Sequence, residues 1–95
     1  MGLFDRFGGG DSNKRDMAKR MVERGDSMMA VNGFDEALNN YIRAISIDNR
    51  YDEAFCGAGR AFCAKGDYDQ AIQHYWKALE ITPNHSRSYY GLGEV

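Results

Sequence analysis

Proline, cysteine and any surplus of charge are all scarce in this chain, and each shortage removes a class of protein. Pro83 is the only proline among 95 residues, too few for a sandwich threaded with tight turns. Twelve Lys and Arg stand against fourteen Asp and Glu, with the signs interspersed. Nucleic-acid binders draw most of their affinity from neutralising phosphates, so this balance argues against a nucleic-acid partner. No apolar run approaches the ~18 residues that would span a bilayer. The apolar fraction is nevertheless 43%, too high for a disordered chain. The length allows one small domain, whose core must be dense or helped by a partner.

The two cysteines, Cys56 and Cys63, are seven residues apart. On one helix that spacing separates them by ~10.5 Å along the axis, beyond the ~7 Å between Cα atoms that a disulfide tolerates. Neither has a Cys or His partner at metal-ligand spacing, so no metal or cofactor is expected. With no signal peptide, the sequence reads as a reduced, cytoplasmic protein. The opening segment, Met1 to Phe7, carries Leu3, Phe4 and Phe7 around Asp5 and Arg6. It could touch a membrane, but a frayed terminus ahead of Gly8-Gly9-Gly10 is the simpler expectation. Arg6 stands where the myristoylation pattern requires Ser or Thr. The expected organisation is therefore a flexible segment over 1–13 and a folded domain over 14–95.

What the chain has is an internal repeat. Shifted by 34 positions, residues 18–51 fall on 52–85 with seven identities and no gap. Gly25 lands on Gly59, Ala30 on Ala64, Asp35 on Asp69, Ala37 on Ala71, Tyr41 on Tyr75, Ala44 on Ala78 and Ile47 on Ile81. Each unit reads as two helices. In the second unit Phe55, Ala58 and Phe62 recur at helical spacing, as do Tyr68, Ala71, Ile72, Tyr75 and Leu79. Lys65-Gly66-Asp67 separates them, with glycine ending one helix and Asp67 and Gln70 resembling a capping box for the next. Asn32-Gly33 is expected to serve the same purpose in the first unit. Pro83 stops the last complete helix. The glycines and alanines fall where paired helices approach closely, with Tyr41, Phe55, Phe62 and Tyr75 filling the space beside them.

Phe55-x-x-Ala58-Gly59-x-x-Phe62, followed by Ala71, Tyr75, Ala78 and Pro83, resembles the tetratricopeptide signature. The first unit departs from it at Met21, Arg24, Met28 and Asn49, and a third unit begins at Ser86 with Tyr89, Leu92 and Gly93 in signature places. The resemblance covers residues 18–95. It implies an all-α, right-handed helix-turn-helix solenoid of two units (18–51 and 52–85) plus the first helix of a third (86–95). The chain stops at Val95, whereas solenoids normally finish with a polar capping helix. The expectation is a fragment of a longer array; the alternative is an open end covered by another molecule. Phe62, Tyr75 and Leu79 are the expected under-covered residues of that end, which makes homo-oligomerisation an alternative.

The resemblance further implies a partner protein or peptide held on the concave surface by the first helix of each unit. Carried over position by position, that surface presents Lys19, Val22, Asp26 and Met29, then Glu53, Cys56, Arg60 and Cys63, then Arg87 and Tyr90. It forms an apolar strip between charges of both signs, suited to a short amphipathic peptide or helix. Chaperone-binding members of the family clamp a C-terminal carboxylate with Lys and Asn. The matching places here hold Val22, Asp26 and Gly57, with only Arg87 of suitable type, and Asp26 would repel a carboxylate. Catalysis is not expected. His74 reads as exposed and His85 as part of a loop, neither with a Cys, Ser or carboxylate at triad spacing. Gly57-x-Gly59 lies inside a helix, where close packing explains it better than a phosphate loop. The leading reading is thus a protein-interaction scaffold. Self-association through the open end and membrane recruitment through Met1–Phe7 stand as alternatives.

Overall fold

The computed structural model describes residues 10–95, and the Met1–Phe7 segment lies outside them. All regular structure in this range is helical: α1 (Gly10–Ala30), α2 (Phe34–Ile47), α3 (Asp52–Ala64), α4 (Tyr68–Ile81) and α5 (Ser86–Glu94). Helix α1 starts at Gly10, so it reaches into the 10–13 stretch assigned above to the flexible segment.

The helices form two hairpins, α1–α2 and α3–α4, with α5 beginning a third layer. Helix α3 packs on α2, and α5 packs on α4. The described chain measures 50 × 29 × 17 Å. The turns show why the chain reverses where it does. Gly66 takes φ +85°, and the residue 34 positions earlier, Asn32, takes φ +62°. Asparagine is the residue besides glycine that most readily adopts this left-handed geometry. The sequence reading placed that work on the Asn32-Gly33 pair. The structure gives it to Asn32, while Gly33 is the N-cap of α2 with φ −85°. Asp67 caps α4 as expected, its side chain accepting from the Gln70 amide at 3.4 Å.

The core is a set of tyrosine rings seated on glycines. Tyr41 of α2 is fully buried between α1 and α3. A Cβ on Gly25 would lie 2.6 Å from its ring, and one on Gly57 would overlap it outright. Tyr75 of α4 repeats the arrangement between Gly59 of α3 and Gly91 of α5. Each ring therefore joins the two helices of its own unit and the first helix of the next. Buried alanines 37, 44, 71 and 78 flank the rings and let the helix axes come together. Gly93, the next glycine in the series, has nothing within 4 Å.

One expectation about the open end is corrected here. Tyr75 and Leu79 are buried, at 2% and 5% exposure, and Gly91 of α5 is seated on the Tyr75 ring. Phe62 is half-buried, its ring centroid 5.0 Å from that of His74. Exposed apolar surface lies instead along α4, where Tyr68, Ile72 and Trp76 recur every four residues on one stripe.

Candidate functional site: the row of first helices

Curvature follows from which helices touch. Helix α1 contacts α3, and α3 contacts α5, whereas α2 and α4 do not contact one another. A row of abutting helices backed by a splayed row is concave on the abutting side. The concave row consists of α1, α3 and α5, the helices that carry the candidate groove residues.

Those residues fall at matching places in successive helices. Lys19, Glu53 and Arg87 are equivalent, as are Val22, Cys56 and Tyr90, then Asp26 and Arg60, then Met29 and Cys63. Within a helix the spacing of three, four and three residues keeps them on one face. Two cross-helix ion pairs mark that face. Arg60 reaches Asp26 across α3 and α1 at 3.6 Å, and Arg87 reaches Glu53 across α5 and α3 at 2.9 Å. Asp26 also accepts a 2.5 Å hydrogen bond from the Tyr41 hydroxyl, which ties the groove to the core. Burial and then that carboxylate hold the Tyr41 hydroxyl well above the usual phenol range.

The strip between the ion pairs is less open than the sequence suggests. Val22 is buried and Cys56 is only 1% exposed, so both form floor, not contact surface. Burial pushes the Cys56 thiol up, only partly opposed by a hydrogen bond from Ser88, which keeps it protonated and unreactive. Lys19, Asp26 and Arg87 are exposed, while Met29, Glu53, Arg60 and Cys63 are half-buried. Tyr90, at 71% exposure, projects furthest of the apolar residues. An open cavity of about 740 Å³ lies apart from these residues, between the N-terminal part of α1 and the end of α2, lined by Lys14, Arg15, Asp48 and Arg50 among others.

Both histidines behave differently from expectation. His74 is half-buried, its ring tilted against those of Phe62 and Phe55 and its Nδ1 donating to the Gln70 carbonyl at 2.8 Å. His85 is the N-cap of α5 and is 8% exposed. It does have Ser and carboxylate partners. Its Nδ1 lies 2.9 Å from Ser88 Oγ and 3.3 Å from the Ser88 amide, and its Nε2 lies 3.2 Å from Glu53 Oε2. Glu53 sits 32 residues away in sequence, and only the stacking of α5 on α3 brings it close. The order Ser88–His85–Glu53 has the connectivity of a nucleophile, base and orienting acid. Ser88 is nevertheless completely buried, so no substrate carbonyl can approach its hydroxyl. Next to it Thr82 donates to Asp52 at 2.5 Å. A signal for this cluster was present in the repeat itself: the positions equivalent to His85 and Ser88 in the preceding unit are Tyr51 and Ala54.

Comparisons with known proteins agree with this architecture. The family profile described as TPR repeat matches residues 59–95. Among solved structures, the Arabidopsis OM64 TPR domain superposes with a TM-score of 0.82 at 23% identity, covering 85% of this chain and 67% of that one. The second TPR of Spaghetti (RPAP3), bound to the HSP90 peptide SRMEEVD, superposes with a TM-score of 0.83 at 19% identity, covering 87% of this chain and 76% of that one. MamA gives a TM-score of 0.77 at 26% identity over 81% of this chain, which spans 45% of MamA. No curated protein matches the sequence. The stacked hairpins and the superpositions give this chain the fold of tetratricopeptide-repeat domains, and the repeat profile itself matches residues 59–95. That class is generally a non-enzymatic fold for protein–protein interaction. Among the described residues, no helix is long and apolar enough to cross a membrane.

Proposed function

We propose that the concave face of α1, α3 and α5 holds a short peptide or helix of a partner protein, in a scaffold of the assembly or regulatory kind. The observation that carries this reading is the row of abutting helices, with Tyr90 projecting between the Asp26–Arg60 and Glu53–Arg87 pairs. An exposed aromatic within a framework of oriented charges is the usual anatomy of an interaction hot spot. The partner differs from the acidic peptide held by the second TPR of Spaghetti. Asp26 occupies a place where a carboxylate clamp needs a donor, and the two arginines are already engaged by acids. A mixed-charge amphipathic segment fits better: its own acid and base can exchange partners with these pairs while an apolar side chain covers Tyr90. A reducing, cytoplasmic setting belongs to this reading, with both cysteines kept as thiols.

The test is to select binding peptides from a random library and then alter the protein. Arg60→Glu, Arg87→Glu and Tyr90→Ala should each weaken the selected peptides at least ~10-fold, the scale of a lost hot spot. Trp76→Glu, on the outer surface, should not. If binding survives the concave substitutions and is lost with Trp76→Glu, the concave face is not the binding surface.

One observation favours a second reading. The Tyr68, Ile72 and Trp76 stripe on α4 is the kind of contiguous apolar surface that self-association covers. Light scattering over a tenfold concentration range tests it. A dimer that dissociates on dilution and disappears in Trp76→Glu would support homo-oligomerisation; a monomer throughout would exclude it.

A further inference from the structure

We propose that Asp52, Glu53 and His85 form a binding site for a divalent transition-metal ion of the zinc type, one that clamps the start of α5 to the start of α3. The inference goes beyond the peptide-binding reading and does not depend on it.

Geometry comes first. One ligand atom from each of the three residues lies within 4.8 Å of the other two. His85 Nε2 faces Glu53 Oε2 at 3.2 Å and Asp52 Oδ2 at 3.9 Å. Zinc held at ~2.0–2.2 Å by nitrogen and oxygen in a tetrahedron separates its ligands by ~3.3 Å. The His85–Glu53 pair already has that separation, and side-chain rotation of Asp52 is what closes the triangle. Asp52 and Glu53 are half-buried, so the cluster is open on one side, where water can complete the coordination.

The surroundings suit a ligand histidine. A metal takes the lone pair of Nε2, which places the ring proton on Nδ1, and that proton needs an acceptor. Ser88 Oγ, buried and 2.9 Å away, is such an acceptor. The Ser88 amide then gives up its weak 3.3 Å contact to Nδ1 but keeps the His85 carbonyl at 3.1 Å. The carboxylates are also oriented from outside. Arg87 engages Glu53 Oε1 and leaves Oε2 free to point inwards. Thr82 donates to Asp52 Oδ2, the oxygen that faces His85, and leaves it a second lone pair for an ion. Two carboxylates face one guanidinium, a surplus of acid that a divalent cation bound through the imidazole offsets. Imidazole with carboxylates is a donor set suited to zinc.

Stacking alone does not demand these residues. At the preceding junction the places of Asp52, Glu53, His85 and Ser88 are held by Ala18, Lys19, Tyr51 and Ala54, which offer no such donor set, and the same tyrosine-on-glycine packing forms there regardless. The donor set is a property of the second junction only. Because Glu53 and Arg87 also border the concave row, a bound ion would set how far α5 closes over it.

The experiment is calorimetric titration of the full chain with Zn²⁺ in a non-chelating buffer, with circular dichroism confirming the fold of each variant. The expected result is saturable one-to-one binding that weakens at least ~10-fold in His85→Gln and in Asp52→Asn and survives in His74→Gln, with Ser88→Ala lowering affinity ~10-fold as outer partners do. Should His85→Gln fail to fold, Asp52→Asn decides, since its amide can still accept from Thr82. Substitution with Co²⁺ should give spectra without a thiolate charge-transfer band. Absence of saturable binding, binding indifferent to Asp52→Asn, or a thiolate band from Cys56 or Cys63 would overturn the proposal.

Discussion

The two junctions of the solenoid share a packing device and differ in everything polar around it. At the first, between the two complete units, Tyr41 sits between Gly25 and Gly57, and the outer seam is a surface arrangement. Arg15 bonds Asp48 at 2.6 Å and lies over the Tyr51 ring, 4.5 Å from its centroid. At the second, Tyr75 sits between Gly59 and Gly91, and the seam is a buried cluster of His85, Ser88 and Cys56 with Asp52, Glu53 and Thr82 at its margin. The shared part is what stacking requires: a flat ring needs a surface without a Cβ on both sides. The differing part is free to vary, because once the helices are seated the seam can be closed by a surface ion pair or by a buried hydrogen-bond chain.

The comparison can be broken most directly at the rings. Tyr41→Ala should destabilise by about 3–5 kcal/mol, as loss of a large buried aromatic does, and should unfold so short an array. Tyr75→Ala should act in the same direction while leaving the α1–α2 hairpin protected in hydrogen exchange. If both variants lost protection uniformly, the junctions would not be separable folding units. Removing only the hydroxyl sharpens the contrast. Tyr41→Phe should cost about 1–2 kcal/mol through its bond to Asp26, and Tyr75→Phe much less, both read from urea midpoints.

The glycines offer a test in which the sign changes. Gly57→Ala and Gly91→Ala should each destabilise by about 1–3 kcal/mol, because the new methyl overlaps a ring that has nowhere to go. Gly93→Ala should instead stabilise by about 0.5–1 kcal/mol, since nothing lies near it and alanine is the better helix former. A destabilising Gly93→Ala in thermal melts would mean that this face is covered in solution.

The seams should differ at the next level down. His85→Ala removes the N-cap of α5 and its contact to Glu53, at a cost of about 1 kcal/mol. Faster amide exchange should be confined to α5. The smallest effect belongs to the first seam. Burial raises the Asp48 carboxyl, but the Arg15 hydrogen bond, the Arg50 amide and the charges of Arg15 and Lys14 outweigh it, so its folded pKa is lowered. A lowered folded value means that its contribution is present above the unfolded pKa and is lost as pH falls through the folded one. The stability gap between wild type and Asp48→Asn should therefore shrink between about pH 5 and pH 3, near and below the ordinary aspartate range, in urea titrations at each pH.

Much of the architecture was legible because repetition exposes it. Tyr41 and Tyr75, with Gly25 and Gly59, recur 34 positions apart, and residues that recur together must pack together. Groove positions were readable as a helical face, but their openness was not. Val22 and Cys56 share the pattern of Tyr90, yet they lie beneath neighbouring helices while Tyr90 stands on the last one. His74 was misread because its cover, Phe62 and Phe55, comes from another helix. The open end was misread because α5, only nine residues long, seats Gly91 on the Tyr75 ring.

By itself, then, the sequence determined the period, the helix pairs, and the rings Tyr41 and Tyr75 with their seats Gly25 and Gly59. These depend on local spacing and on a unit that repeats. Only the tertiary structure decided that Glu53 meets His85 and Arg87, that Ser88 is sealed, and that the exposed apolar stripe runs along Tyr68, Ile72 and Trp76. Those contacts join residues that the repeat does not relate. They exist because stacking one unit on the next fixes which side chains face each other across the seam.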